Sequence, residues 1–153
     1  MSEELIIRKS LEIKAPLEKV WDALTNPGMT QQYMYCEVQS SWNVGSPIMW
    51  KGYHDGKQVV FVKGKITAIN PPKRLQFTLF DPNKGIADIP ENYVLVTYNL
   101  HALNDGTVFS ITQGDYAMIE KGKAIYEETV KGWDFTLPVL KKFLEGKRWE
   151  MTA

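Results

Sequence analysis

Apolar and polar residues alternate through the middle of the chain, and a helical period brackets that stretch. Leu5 to Ile13 reads as a strand, with Ile7, Leu11 and Ile13 on one face and Arg8, Ser10 and Glu12 on the other. Ala15-Pro16 then opens a helix, with Pro16 expected in its first turn. Leu17, Val20, Trp21 and Leu24 fall at helical spacing, and Asn26-Pro27-Gly28 ends the run. A second short helix is predicted over roughly Met29 to Tyr35.

From Val38 to Asp115 the period is two. Ile48, Trp50 and Gly52 alternate with Met49, Lys51 and Tyr53. Asp55-Gly56 is a hairpin signal, because glycine accepts positive φ. Val59 to Ile69 is the returning strand, and Asn70-Pro71-Pro72-Lys73 must turn, since two prolines cannot sit in a central ladder. Leu75, Phe77 and Leu79 share a face, as do Val94, Val96, Tyr98 and Leu100. Asn104-Asp105-Gly106 marks another turn, after which Phe109, Ile111 and Gln113 point the same way. A long helix from about Glu120 to Glu145 closes the chain. Its stripe is Val130, Trp133, Leu137, Leu140 and Leu144.

One-sided alternation gives each strand a wet and a dry face, and the dry face needs a cover. The terminal helix is the only element long enough. The pattern therefore predicts an α+β fold in which a curved antiparallel sheet of about seven strands grips one long helix. Residues 1–153 read as a single domain, with no repeat or linker. Gly132 and Pro138 are two helix breakers inside the closing helix. Gly132 is expected to admit a close neighbour, and Pro138 to bend the helix near Asp134.

Composition narrows the function classes. Lys plus Arg and Asp plus Glu each total 18, so the formal net charge is zero. That balance offers no electrostatic reason to expect nucleic acid. Lys141, Lys142, Lys147 and Arg148 read as a helix end matched to its dipole. No apolar run approaches the ~20 residues of a membrane span, and the start, MSEELIIRKS, lacks the form of a signal peptide. Cys36 is the only cysteine, which suits a reducing cytoplasm and a buried thiol. His54 and His101 are the only histidines and form no ligand pair, so neither a metal nor another cofactor is expected.

The landmarks Ala15-Pro16 with Val20-Trp21-Asp22-Ala23-Leu24-Thr25, Trp42-Asn43-Val44-Gly45-Ser46, Gly64 with Ile66, Asn70-Pro71-Pro72-Lys73-Arg74-Leu75, Asp105-Gly106-Thr107 and Gly132-Trp133 with Leu144-Glu145-Gly146 occur in one order along nearly the whole chain. Together they resemble the Bet v 1/START-like (SRPBCC) superfamily. More narrowly, they resemble the group named for homology to the C-terminal domain of the Hsp90 ATPase activator Aha1. Ser46 departs from that pattern, which often has glycine there. The resemblance implies a helix-grip fold with a cavity between sheet and helix. It says less about function, because this fold hosts several activities.

Under that implication the inward residues become candidate cavity lining. They are Tyr33 from the second helix, Ile48, Trp50, Val62, Phe77, Leu79, Val96, Tyr98, Phe109, Ile111 and Gln113 from the strands, and Trp133 and Leu137 from the closing helix. An empty void of ~300 Å³ would cost about 7 kcal/mol at ~24 cal/mol per Å³, so the many bulky side chains suggest a small or narrow pocket. The leading expectation is binding of an unidentified small apolar or amphipathic molecule. An enzyme of cyclase or hydrolase type using Tyr98, Gln113 or Asp115 is the alternative. A chaperone partner of Hsp90 type ranks below both, and a homodimer through a sheet edge or helix is left open.

Overall fold

The computed structural model describes residues 3–146. Lys147 and Arg148, read above as part of a basic helix end, lie outside them. The order is β1 (Ile7–Ile13), α1 (Leu17–Thr25), α2 (Pro27–Met34), β2 (Glu37–Ser40), β3 (Pro47–His54), β4 (Lys57–Asn70), β5 (Arg74–Leu79), β6 (Val94–Leu103), β7 (Gly106–Gly114) and α3 (Gly122–Glu145). The strands form one antiparallel sheet in the order β1-β7-β6-β5-β4-β3-β2. This is the helix-grip architecture that the alternation and the long terminal helix predict.

Helix ends differ from expectation by a residue or two. Pro16 sits just ahead of α1 rather than within it. The α1–α2 break shrinks to one residue, Asn26. Its N–H donates to the Asp22 carbonyl at 2.8 Å, and its side chain accepts from the Gly28 N–H at 2.9 Å. One asparagine thus ends one helix and caps the next, so α2 begins at Pro27, where a missing N–H is harmless. Ser46, the departure from the family pattern, closes its turn by donating its hydroxyl to the Asn43 carbonyl at 2.7 Å and accepting from the Asn43 N–H at 3.1 Å.

Curvature is concentrated in β4. Its first part pairs with β3 from Pro47↔Lys65 onward, and its last part pairs with β5 from Ile66↔Phe77 onward. Gly64 lies at this handover. A Cβ there would stand 1.6 Å from the Thr78 carbonyl oxygen, a backbone atom of the neighbouring strand. Only glycine permits the two strands to approach so closely. Register shifts flank the crossing, between Trp50 and Lys51 on β3 and between Ile66 and Ala68 on β4. Such irregularities bend a strand and sharpen its twist.

The concave face holds two apolar clusters. The larger includes Val20, Leu24, Ile48, Phe77, Phe109, Leu140 and Leu144. The smaller gathers Ile7, Val94, Tyr116 and Ile125. Helix α3 spans both, with Ile125 in the smaller cluster, Leu137, Leu140 and Leu144 in the larger, and Trp133 packed against each. The helix remains helical through Pro138, although that residue has no N–H to offer the Asp134 carbonyl. Polar ties hold α3 to β1: Lys9 pairs with Asp134 at 2.6 Å, and Lys141, which also pairs with Glu145 within the helix at 2.7 Å, donates to the Glu12 carbonyl at 2.6 Å.

Replacing Gly64 by alanine forces β4 and β5 apart at the handover. The expected loss of stability is on the order of 3 kcal/mol or more, read as a lower denaturation midpoint. A loss below ~1 kcal/mol would show that the crossing is not needed.

Candidate functional site

A pocket of about 430 Å³ opens between the concave sheet and the first part of α3. On the sheet side its walls are Trp50, Tyr53, Phe61, Val62, Phe77, Leu79, Tyr98 and Gln113. The end of α2 contributes Met34, Tyr35 and Cys36, and α3 contributes Thr129, Gly132, Trp133 and Thr136. Of the residues expected to line a cavity, Trp50, Val62, Phe77, Leu79, Tyr98, Gln113 and Trp133 are therefore brought together.

The others lie in the packed interior. Ile48, Val96, Phe109, Ile111 and Leu137 are buried in the larger cluster and do not reach the pocket wall. Facing inward is a necessary condition for lining the pocket, but the sheet curves over a solid core along much of its length. Tyr33 is also in that cluster, its hydroxyl donating to the Ala23 carbonyl at 2.5 Å, which fastens α2 to α1.

Local geometry accounts for the additional wall residues. Tyr35 ends α2 in the left-handed region, at φ 61°. The chain reverses there, so Tyr35 stays 72% exposed while Cys36 is buried. Phe61 is the extra residue of the β3–β4 irregularity, since Trp50 pairs with Val62 but Lys51 pairs with Val60. Its ring occupies the space left by Gly52, where a Cβ would stand 2.5 Å away. On α3, Thr129, Gly132, Trp133 and Thr136 follow i, i+3, i+4, i+7 spacing, which sets them on one face. No neighbouring atom lies within 4 Å of a Cβ built at Gly132. The close neighbour expected there is replaced by open space.

The pocket is also larger than the bulky inward set suggested. Its helical wall is built from two threonines and a glycine beside Trp133, and several large side chains have gone to the solid core instead. It is not a sealed void, because Tyr35 and Tyr53, 72% and 71% exposed, stand at its edge. The cost of an empty apolar cavity therefore does not apply in full.

Aromatic contacts hold the wall in place. Tyr98 meets Phe77, Phe109 and Trp133 edge to face, with centroids 5.3, 5.2 and 6.1 Å away. Trp50 packs on Phe77 at 5.2 Å. Gln113 is engaged at both ends: its Oε1 accepts from Trp133 Nε1 at 2.9 Å, and its Nε2 donates to the Tyr116 hydroxyl at 2.7 Å. This amide positions the Trp133 ring, and the two bonds use one of its two N–H donors and one of its two lone pairs.

Neither the candidate Asp115 nor the other carboxylates of the long loop and of α3 line the pocket. Asp115 Oδ1 accepts from the Ala117 N–H at 2.8 Å and the Leu5 N–H at 2.9 Å, so it caps a turn and does not line the pocket. Asp88 pairs with Lys63 at 2.5 Å and accepts from the Tyr93 hydroxyl at 2.7 Å. Glu128 pairs with Lys84. Asp81 accepts from the Asn83 N–H at 2.8 Å, while Glu91 and Glu127 are exposed. His54 and His101 are exposed, and no cluster of metal-ligating side chains occurs among the described residues.

Burial dominates the electrostatics. It raises the Cys36 thiol to about 11 and pushes the Tyr98 and Tyr33 phenols above their ordinary range, with Cys36 adding a smaller effect on each. The thiol is thus a poor nucleophile at neutral pH.

A curved sheet closed on one long helix, with a pocket at the seam, defines the helix-grip class. Within it, the model of the activator of Hsp90 ATPase homolog 1-like proteins matches residues 14–145, and the chain belongs to that family. It is similar to ChR145 from Cytophaga hutchinsonii, at 40% identity and a TM-score of 0.76 over 95% of this chain and 97% of that one. It shares its fold with the Aha1 dimer from Colwellia psychrerythraea (22% identity, TM-score 0.69, 92% and 96% covered). The fold is also that of protein MLL2253 from Mesorhizobium loti (20% identity, TM-score 0.72, 94% and 99% covered). No curated protein matches the chain. No helix among the described residues is long and apolar enough to cross a membrane.

The raised thiol and phenols set an alkaline limit on stability. Unfolded, Cys36 releases its proton near its ordinary value, whereas the folded chain holds it to about 11. The Cys36 contribution is therefore constant below about pH 8 and declines as pH rises through this window, by about 1 kcal/mol at pH 10. Denaturation midpoints from pH 7 to 11 read this directly, and Cys36→Ala should remove the earliest part of the decline. A midpoint unchanged at pH 10 would refute the assignment.

Proposed function

We propose that this chain binds a small apolar or amphipathic molecule in the pocket between the curved sheet and α3. The observation that carries the reading is the notch on α3. At Gly132, with Thr129 and Thr136 on either side, the helix leaves open a space that a larger side chain could fill. Glycine in a helix interior costs up to ~1 kcal/mol relative to alanine, and no close packing contact at Gly132 offsets that cost. A volume of about 430 Å³ falls in the range of small-molecule sites, and aromatic walls with few polar groups suit such sites.

The alternative of acid–base catalysis finds less support. Asp115 is used as a cap, and Gln113 is used to position Trp133. A chaperone partner is suggested by the family's name, and none of the side-chain geometry described above bears on it.

The test is native mass spectrometry of the protein purified from its own organism, with Gly132→Leu alongside. The natural chain should carry a bound molecule. The variant should carry at least 10-fold less, with a melting temperature no lower than that of the natural chain, because leucine is the better helix former. Absence of any bound mass in the natural chain, or equal loading of the two, would overturn the proposal.

A further inference from the structure

We infer that the pocket selects uncharged ligands carrying a carbonyl oxygen, such as a ketone or ester, and that the Tyr98 hydroxyl receives that oxygen. The inference rests on the proposed binding function and adds the chemical class of ligand.

Two observations carry it. The first is the hydroxyl itself. Tyr98 is only 3% exposed and lines the pocket. Its three edge-to-face neighbours fix the ring. Its hydroxyl makes no hydrogen bond to another described residue, whereas Tyr33 donates to a carbonyl and Tyr116 accepts from Gln113; since no fully buried side-chain oxygen among the described residues lacks a partner, the Tyr98 hydroxyl is open to the pocket. With no protein partner, such a hydroxyl is satisfied by water or by a ligand that displaces it. A phenol readily donates to a carbonyl oxygen, and an apolar ligand bearing one would meet this need without disturbing the wall.

The second observation is charge. Among the described residues no Asp, Glu, Lys, Arg or His lines the pocket. An ion drawn into it would lose its hydration and find no countercharge. Burial keeps the Tyr98 phenol and the Cys36 thiol protonated at neutral pH, so the wall acquires no anion of its own to hold a cation. An amphipathic ion could still leave its head group at the mouth beside Tyr35 and Tyr53. Its hydrocarbon would then face the Tyr98 hydroxyl and leave it unsatisfied.

Three probes of equal chain length separate these cases: 2-decanone, decanoate and decyltrimethylammonium, titrated at pH 7.5 against the natural chain and Tyr98→Phe. Fluorescence of the wall tryptophans, or calorimetry, reports binding. The ketone is expected to bind at least 10-fold more tightly than either ion. Tyr98→Phe should weaken the ketone about 5- to 10-fold and leave the ions unchanged. The variant gives up no internal hydrogen bond, so its melting temperature should not fall. If it did fail to fold, the comparison of ketone with ions on the natural chain would decide alone. An ion that binds as tightly as the ketone, or a ketone indifferent to Tyr98→Phe, overturns the inference and leaves the binding function standing. Binding of none of the three counts against the binding function itself.

Discussion

The approach of Gly64 to the Thr78 carbonyl oxygen is the constraint on which the rest of the structure depends. At that point β4 passes from β3 to β5 as its pairing partner, and the sheet turns from a plane into a trough. Without the turn, α3 would lie across a flatter surface, and nothing would separate its first half from the strands. The irregularity that places Phe61 in the wall belongs to the same bend. Curvature, wall and pocket thus share one cause in the backbone.

Much of this was legible in the residues. Alternation located the strands, and the Asp55-Gly56 and Asn104-Asp105-Gly106 signals located two hairpins, because turn chemistry and one-sided burial are local properties. The long stripe on α3 identified the cover. The candidate site was legible only in part, since a period of two tells which face of a strand is dry but not whether that dry face meets solid core or open space. Ile48, Val96, Phe109 and Ile111 carry the same pattern as Trp50, Phe77 and Tyr98, yet only the latter reach the pocket. Phe61 escaped for a different reason: one extra residue in a strand shifts the alternation without any mark in composition. Thr129, Gly132 and Thr136 were accessible in principle, as a run of small residues on one face of an otherwise bulky helix.

Tyr98 shows how one side chain can serve packing and polarity separately. Its ring is held by Phe77, Phe109 and Trp133 as any core aromatic would be, an arrangement that favours edge-to-face contacts. Gln113 restrains Trp133 from the other side through a hydrogen bond to the indole. The aromatic wall is therefore rigid by construction, and recognition in it would depend on fit rather than on rearrangement.

The division of α3 into a notched half and an anchored half has a consequence for how such a protein can change over time. Leu137, Leu140 and Leu144 are committed to the core, while Thr129, Gly132 and Thr136 face open volume. Exchanges in the first group disturb folding. Exchanges in the second alter the size and shape of the chamber and leave the scaffold intact. Chamber size and stability are encoded in adjacent turns of one helix, so the chamber can change shape between related chains while the architecture around it stays the same.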